Sequence, residues 1–317
     1  MIIILVSLNE LRIGPVAASM AAALAVAGVA ACGSDDEAGS AKIAATTGVT
    51  AAITESVTGP DVEVEQIVPD GASPHDFELS AQDRQALEEA DLVVANGAGL
   101  EAGIPLDELD APTWELSDHA GELVRLEESE DEHAEEGEDE HGGSDPHVWM
   151  DPARVEAALP SLAEALGEAD PDRADQYRGH ARDYARRLRS LDGEIEGILA
   201  PIPDPDRELV TSHDSLGYLA DRYGFEVAAT AFPATGAEAE ASAGRLHDVE
   251  EAVRRTGVPA VFAQEGDDPE ALRLVAEQAG VEINTDLLVE APSVAGSYEE
   301  MLRRDAELIA DSLRDRR

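Results

Sequence analysis

One cysteine, Cys32, stands among 317 residues, and a lone cysteine excludes any disulfide within the chain. Basic residues are also scarce, at 22 against 69 acidic ones, which leaves a formal net charge of −47. A nucleic-acid partner is therefore excluded, because holding a phosphate backbone needs a basic surface. The acid excess reads as a solvating surface of the kind that suits salty surroundings. Lys42 is the single lysine among the basic residues, a bias that fits a GC-rich genome. Both features concern solubility and habitat, not mechanism. Long hydrophobic runs are missing too. The alanine-rich run Val16–Ala31 falls short of the about 20 apolar residues that a permanent membrane span requires. Nor is there an HExxH or HxxEH helix or a GxSxG elbow, so the usual frameworks of zinc and serine hydrolases are absent.

What is present begins with an address. Arg12 precedes the apolar run, which ends Gly28-Val29-Ala30-Ala31-Cys32-Gly33 and passes at once into Ser34, Asp35, Asp36 and Glu37. Small residues before a lone cysteine, followed by a polar tether, resemble a bacterial lipoprotein signal, in which the cysteine becomes the lipidated first residue. The first ten residues carry an acid and no base, an odd start for such a signal, and Met20 is an alternative translation start. The expectation is a signal peptide over 1–31, lipidation at Cys32 and a tether over 32–41. A free or buried thiol is the plainer alternative for Cys32.

Beyond residue 42 the pattern alternates between strand and helix. KIAATTGVTAAI reads as strand, turn and helix, and VEVEQIVPD (Val62–Asp70) has the two-residue period of a strand. SAQDRQALEEA opens with a serine cap and an early acid, and DLVVANGAG is a short buried strand ending in glycine. Strand, helix and strand at this spacing make a βαβ unit. The segment 127–145, EESEDEHAEEGEDEHGGSD, has no apolar periodicity and no basic residue, so it reads as a solvated acidic loop. Asp151-Pro152 then caps a helix. A second long helix follows, with Tyr177, Ala181, Tyr184, Leu188, Leu191, Ile195 and Ile198 at spacings of three and four. Further strand and helix alternation fills 206–317. The predicted fold is α/β: two Rossmann-like lobes with mostly parallel central sheets, 42–168 and 206–317, joined by one long rigid helix within 169–205.

Eight histidines are present, and three share a setting. His75 follows a strand, His147 lies at the exit of the acidic loop, and His213 sits where the strand ELVTS turns into a helix. Ligands of open α/β sheets bind at the carboxyl ends of strands, so these are site positions by topology. Asp286, after the strand VEIN, has the same placement. Three imidazoles and a carboxylate suit a four-coordinate zinc site, and a closed protein shell leaves no open position for an activated water. His119, His180 and His247 lie in charged, mostly helical stretches and read as solvated. Asp76 and Asp214 are candidates for orienting imidazoles, or for capping the helices that follow. Phe77 and Trp149 are expected to pack beside the cleft.

PHDFE, DPHVWMDP, HDSLGYLADRYG and the late TDLL segment resemble the zinc- and manganese-type solute-binding proteins of ABC transporters, the ZnuA-like group. The resemblance covers nearly the whole chain after the signal. It implies His75, His147 and His213 as metal ligands and Asp286 as a fourth. The wording INTDLLVEAPSV departs from the family's usual ending, so Glu265 or a water stands as rival for that position. Manganese-type relatives commonly carry glutamate where His213 stands, which favours zinc here. The resemblance further implies an extracytoplasmic, lipid-anchored receptor, monomeric, that delivers Zn²⁺ to an ABC permease and its ATPase and catalyses nothing. His133 and His141 would add auxiliary metal capture, against the reading of their loop as merely solvated. The alternatives are a receptor for manganese or another metal, an adhesin of the same fold and, further off, a zinc-dependent hydrolase. Metal binding is expected to weaken near pH 5 to 6, as imidazoles of ordinary pKa, about 6.5, take up protons.

Overall fold

A computed structural model describes residues 41–126, 143–232, 243–267 and 269–314. The expected signal peptide with Cys32, and the loop histidines His133 and His141, lie outside the described residues. The amino-terminal sheet is built from β1 (Ile43–Ala45), β2 (Val64–Gln66), β3 (Leu92–Ala95) and β4 (Thr113–Glu115), in the order β2-β1-β3-β4 and parallel throughout. Helices α1 (Gly48–Thr58) and α2 (Ala81–Glu88) make its crossovers, and a short α3 (Leu116–His119) follows β4. Thr47 caps α1, and Ser80 with Asp83 forms a reciprocal capping box on α2. The predicted strand over Val62–Asp70 shrinks to three residues, although Ile67 N and Val68 N still donate to Ala45 O and Thr46 O beyond its end.

α4 (Pro152–Ala169) and α5 (Ala174–Leu199) pack along each other. Asp151 accepts a hydrogen bond from Ala153 N at 2.8 Å and Pro152 occupies the first turn, as the sequence required. α5 is 26 residues long, about 39 Å at 1.5 Å per residue. It buries Tyr177, Ala181, Tyr184, Leu188, Leu191 and Ile195, as its period predicts. The last buried position is Leu199, with Ile198 only half-buried, because the stripe drifts over seven turns.

The carboxyl-terminal sheet comprises β5 (Glu208–His213), β6 (Glu226–Phe232), β7 (Ala260–Gln264) and β8 (Glu282–Leu287), in the order β6-β5-β7-β8 and again parallel. Helices α6 (Gly217–Tyr223), α7 (Ala243–Thr256) and α8 (Glu270–Ala279) connect these strands, and α9 (Pro292–Ala295) and α10 (Tyr298–Arg314) close the chain. α5 contacts both α1 and α10, so one helix backs both sheets. A continuous apolar cluster extends from Ile43 and Val94 through Trp149, Tyr184 and Leu188 to Phe262, Leu302 and Leu313. No helix among the described residues is long and apolar enough to cross a membrane.

Candidate metal centre

Both sheets direct a histidine to one place. His75 stands in the loop between β2 and α2, His147 opens a 3₁₀ turn just before α4, and His213 is the last residue of β5. Their ring centroids are 5.5 Å (His75–His147), 5.3 Å (His75–His213) and 5.1 Å (His147–His213) apart. Glu290 completes the group, and one donor atom from each of the four residues lies within 4.8 Å of every other. A tetrahedral shell with bonds of roughly 2.0–2.1 Å has edges of about 3.4 Å, so an ion would draw these donors inward.

The electrostatics set the cluster apart from an ordinary buried polar patch. Nε2 of His75, Nε2 of His147 and Oε1 of Glu290 are buried without a hydrogen-bond partner among the described residues, a costly arrangement unless something else satisfies them. Burial, and secondarily the neighbouring His147, lowers the His75 pKa to about 4, and burial alone lowers that of His147 to about 3. Both imidazoles are therefore neutral, the form that binds a metal. Burial, with the nearby Asp267 charge, pushes Glu290 up to about 7. Its side chain is 22 % exposed, yet the Oε1 atom facing the histidines is fully buried.

His147 is the most firmly oriented donor. Asp145 Oδ1 lies 2.7 Å from His147 Nδ1 and also accepts from His147 N at 2.9 Å. With the Nδ1 proton directed at a carboxylate, the Nε2 lone pair faces Glu290 Oε1, 3.8 Å away. Asp145 is itself buried, which raises its pKa to about 7. It is packed against α6, where a Cβ on Gly217 would overlap Asp145 Oδ2. Tyr218 OH donates to Asp145 O at 2.9 Å, and Asn96 Nδ2 donates to Pro146 O at 2.8 Å. The segment leading into His147 is thus held from both sheets.

The carboxylate that the structure brings to the three histidines is Glu290, not the Asp286 expected from the sequence. Asp286 is exposed on β8 and lies outside the cluster, as does the exposed Glu265. The reason is in the strand pairing. Phe262 and Gln264 of β7 pair with Asn284 and Leu287 of β8, so the β8 side holds one residue more and the alternation breaks. Leu287, Leu288 and Val289 turn inward, and the carboxylate that reaches the histidines comes four positions after Asp286. The only sequence cue to Glu290 was the departure of LLVEAPSV from the family's usual ending.

A carboxylate that the sequence did not single out orients His147: Asp145 accepts from both its ring and its backbone nitrogen, while Asp76 is exposed and Asp214 half-buried. Asp145 was legible as the residue two before a histidine, but it closes an acidic run and read as solvated. Trp149 is buried, with its ring 5.2 Å from His147 and its Nε1 donating to Val289 O at 2.7 Å. Phe77 packs on a separate cluster beneath β3. His119 stacks on Trp114 at 5.2 Å, His180 Nδ1 lies 3.0 Å from Val57 O, and His247 sits 3.9 Å from Glu250. None of these three joins the metal-binding group.

Comparison with known proteins places the chain in a family. The profile of the ZnuA family, described as zinc-uptake complex component A periplasmic, matches residues 43–312. The metal ABC transporter substrate-binding lipoprotein ScbA of Streptococcus cristatus is 28% identical over 308 residues, covering 92% of this chain and 96% of its own. The manganese ABC transporter substrate-binding lipoprotein PsaA of Streptococcus mitis is 27% identical over 283 residues, with 86% and 89% covered. Among solved structures, the periplasmic zinc binding protein TroA of Treponema pallidum superposes with a TM-score of 0.77. It is 23% identical, and the match covers 87% of this chain and 99% of that one, which establishes the shared fold. With its profile matched across both sheets, the chain belongs to the ZnuA family of metal ABC transporter solute-binding proteins, which are receptors and not enzymes.

Proposed function

We propose that this protein is an extracytoplasmic zinc receptor that holds one Zn²⁺ between its two sheets and delivers it to an ABC permease driven by an ATPase. The carrying observation is the convergence of His75, His147, His213 and Glu290 within 4.8 Å. Three imidazoles and one carboxylate supply the donor number and the nitrogen-rich set that suit zinc, whereas manganese takes more oxygen ligands. Four protein donors also leave no open position for an activated water, as a carrier requires. Several relatives are named for manganese, PsaA among them, so the choice of zinc rests on the donors of this chain. The lipoprotein names of the relatives support membrane attachment through a lipid on Cys32.

The test is titration of the metal-free protein with Zn²⁺ and, separately, with Mn²⁺. Zinc is expected to bind one-to-one, and His75→Ala, His147→Ala, His213→Ala and Glu290→Ala each to weaken it by at least about 100-fold, more than loss of an outer partner costs. Asp286→Ala and Glu265→Ala are expected to leave it unchanged. Manganese binding as tight as zinc binding would contradict the zinc assignment, and four neutral variants would contradict the site.

A further inference from the structure

The chain places a carboxylate beneath the Glu290 segment that neither its family membership nor the donor set explains. Asp305, on α10, is completely buried. Its Oδ1 accepts from Leu288 N at 2.7 Å and its Oδ2 from Val289 N at 3.1 Å. These two amides lie just past the end of β8, where no strand partner takes them, and both residues are buried. From the other side, Trp149 Nε1 donates to Val289 O, and Tyr298 OH donates to Trp149 O at 2.5 Å. The two residues before Glu290 are therefore fixed through both amides and one carbonyl, with no metal involved.

A buried carboxylate is costly unless its hydrogen bonds are made, so its presence asks for a reason. Capping the end of β8 is one, and that role is purely structural. The geometry points to a second: we infer that Asp305 is a positioning residue for the metal site, setting the backbone from which Glu290 reaches the three imidazoles. Trp149, two residues after His147, ties the same segment to the neighbouring donor. His147 and Glu290, donors from the two sheets, thereby share one hydrogen-bonded frame. The inference rests on the reading of Glu290 as a zinc donor.

The two roles separate in a double-mutant cycle read by Zn²⁺ affinity. Asp305→Ala is expected to weaken zinc binding by about 10- to 100-fold where Glu290 is present, the cost typical of an outer partner. In a Glu290→Ala background the same change is expected to cost less than about threefold, because there is no donor left to position. A Co²⁺-loaded Asp305→Ala protein should show the visible spectrum of Glu290→Ala, not that of the unaltered site. Equal losses in both backgrounds, or no loss in either, would overturn the inference. Should Asp305→Ala fail to fold, Asp305→Glu carries the same cycle. Its extra methylene displaces the segment while keeping both acceptor oxygens, and the same pattern of losses decides. A Glu290→Ala protein that binds zinc normally would instead remove the donor assignment itself, a separate and recognisable failure.

Discussion

Protonation at the metal centre follows burial, and it shifts the expected pH dependence. With His75 lowered to about 4 and His147 to about 3, imidazole protons compete with metal only in more acid solution than the ordinary value near 6.5 implies. Glu290, raised to about 7, takes over as the competing acid. Its protonated form cannot bind, so zinc affinity should rise as pH climbs through 7 and then level. At pH 6 each zinc bound should release about one proton, measurable by calorimetry in buffers of different ionisation enthalpy. Glu290→Gln should lower that release, and a Gln variant that releases as many protons as before would refute the assignment. Gly217 gives a second residue-level prediction. A methyl group there meets Asp145 Oδ2, so Gly217→Ala should displace the partner of His147 and weaken zinc binding by about 10- to 100-fold, with an unchanged circular dichroism spectrum.

At the level of elements, legibility tracked periodicity. The long stripe on α5 was readable because seven residues repeat one spacing, and the caps at Ser80 and Asp151 were readable because capping is local chemistry. His75, His147 and His213 were readable because strand ends in a parallel sheet are site positions, and the fold brings the three together. β4, three residues long, carried too little pattern to be noticed, and β2 was overextended. Glu290 was hidden because an extra residue in β8 resets the alternation, and pairing with strand residues 22 to 23 positions earlier leaves no local mark in the sequence. The helix reading carries a stability prediction. Leu188 is wholly buried between the sheets' helices, so Leu188→Ala should cost about 2–5 kcal/mol, while the exposed Arg186→Ala should stay within about 0.5 kcal/mol. Urea unfolding of both variants reads the difference directly.

For the molecule as a whole, charge and the shared core dominate. A formal net charge of −47 repels itself in the compact state, and added salt screens that repulsion. The melting temperature of the metal-free protein should therefore rise between low and high NaCl, and a temperature independent of salt would contradict this. The apolar cluster is continuous across both sheets, and α5 backs both of them, so wide hinge closure would open the core. Metal binding should bring small tilts and local contraction of the donors, with little change in the radius of gyration measured by X-ray scattering. Glu290 and Asp305, which no local pattern announced, depend on contacts between distant segments of the chain. The central claim is that this arrangement is a metal shell, and a zinc-loaded crystal examined at the zinc absorption edge tests it most directly. The account predicts one anomalous peak, roughly 2.0–2.1 Å from nitrogens of His75, His147 and His213 and from an oxygen of Glu290. A peak bound by Asp286 in place of Glu290, or none among these histidines, would contradict it.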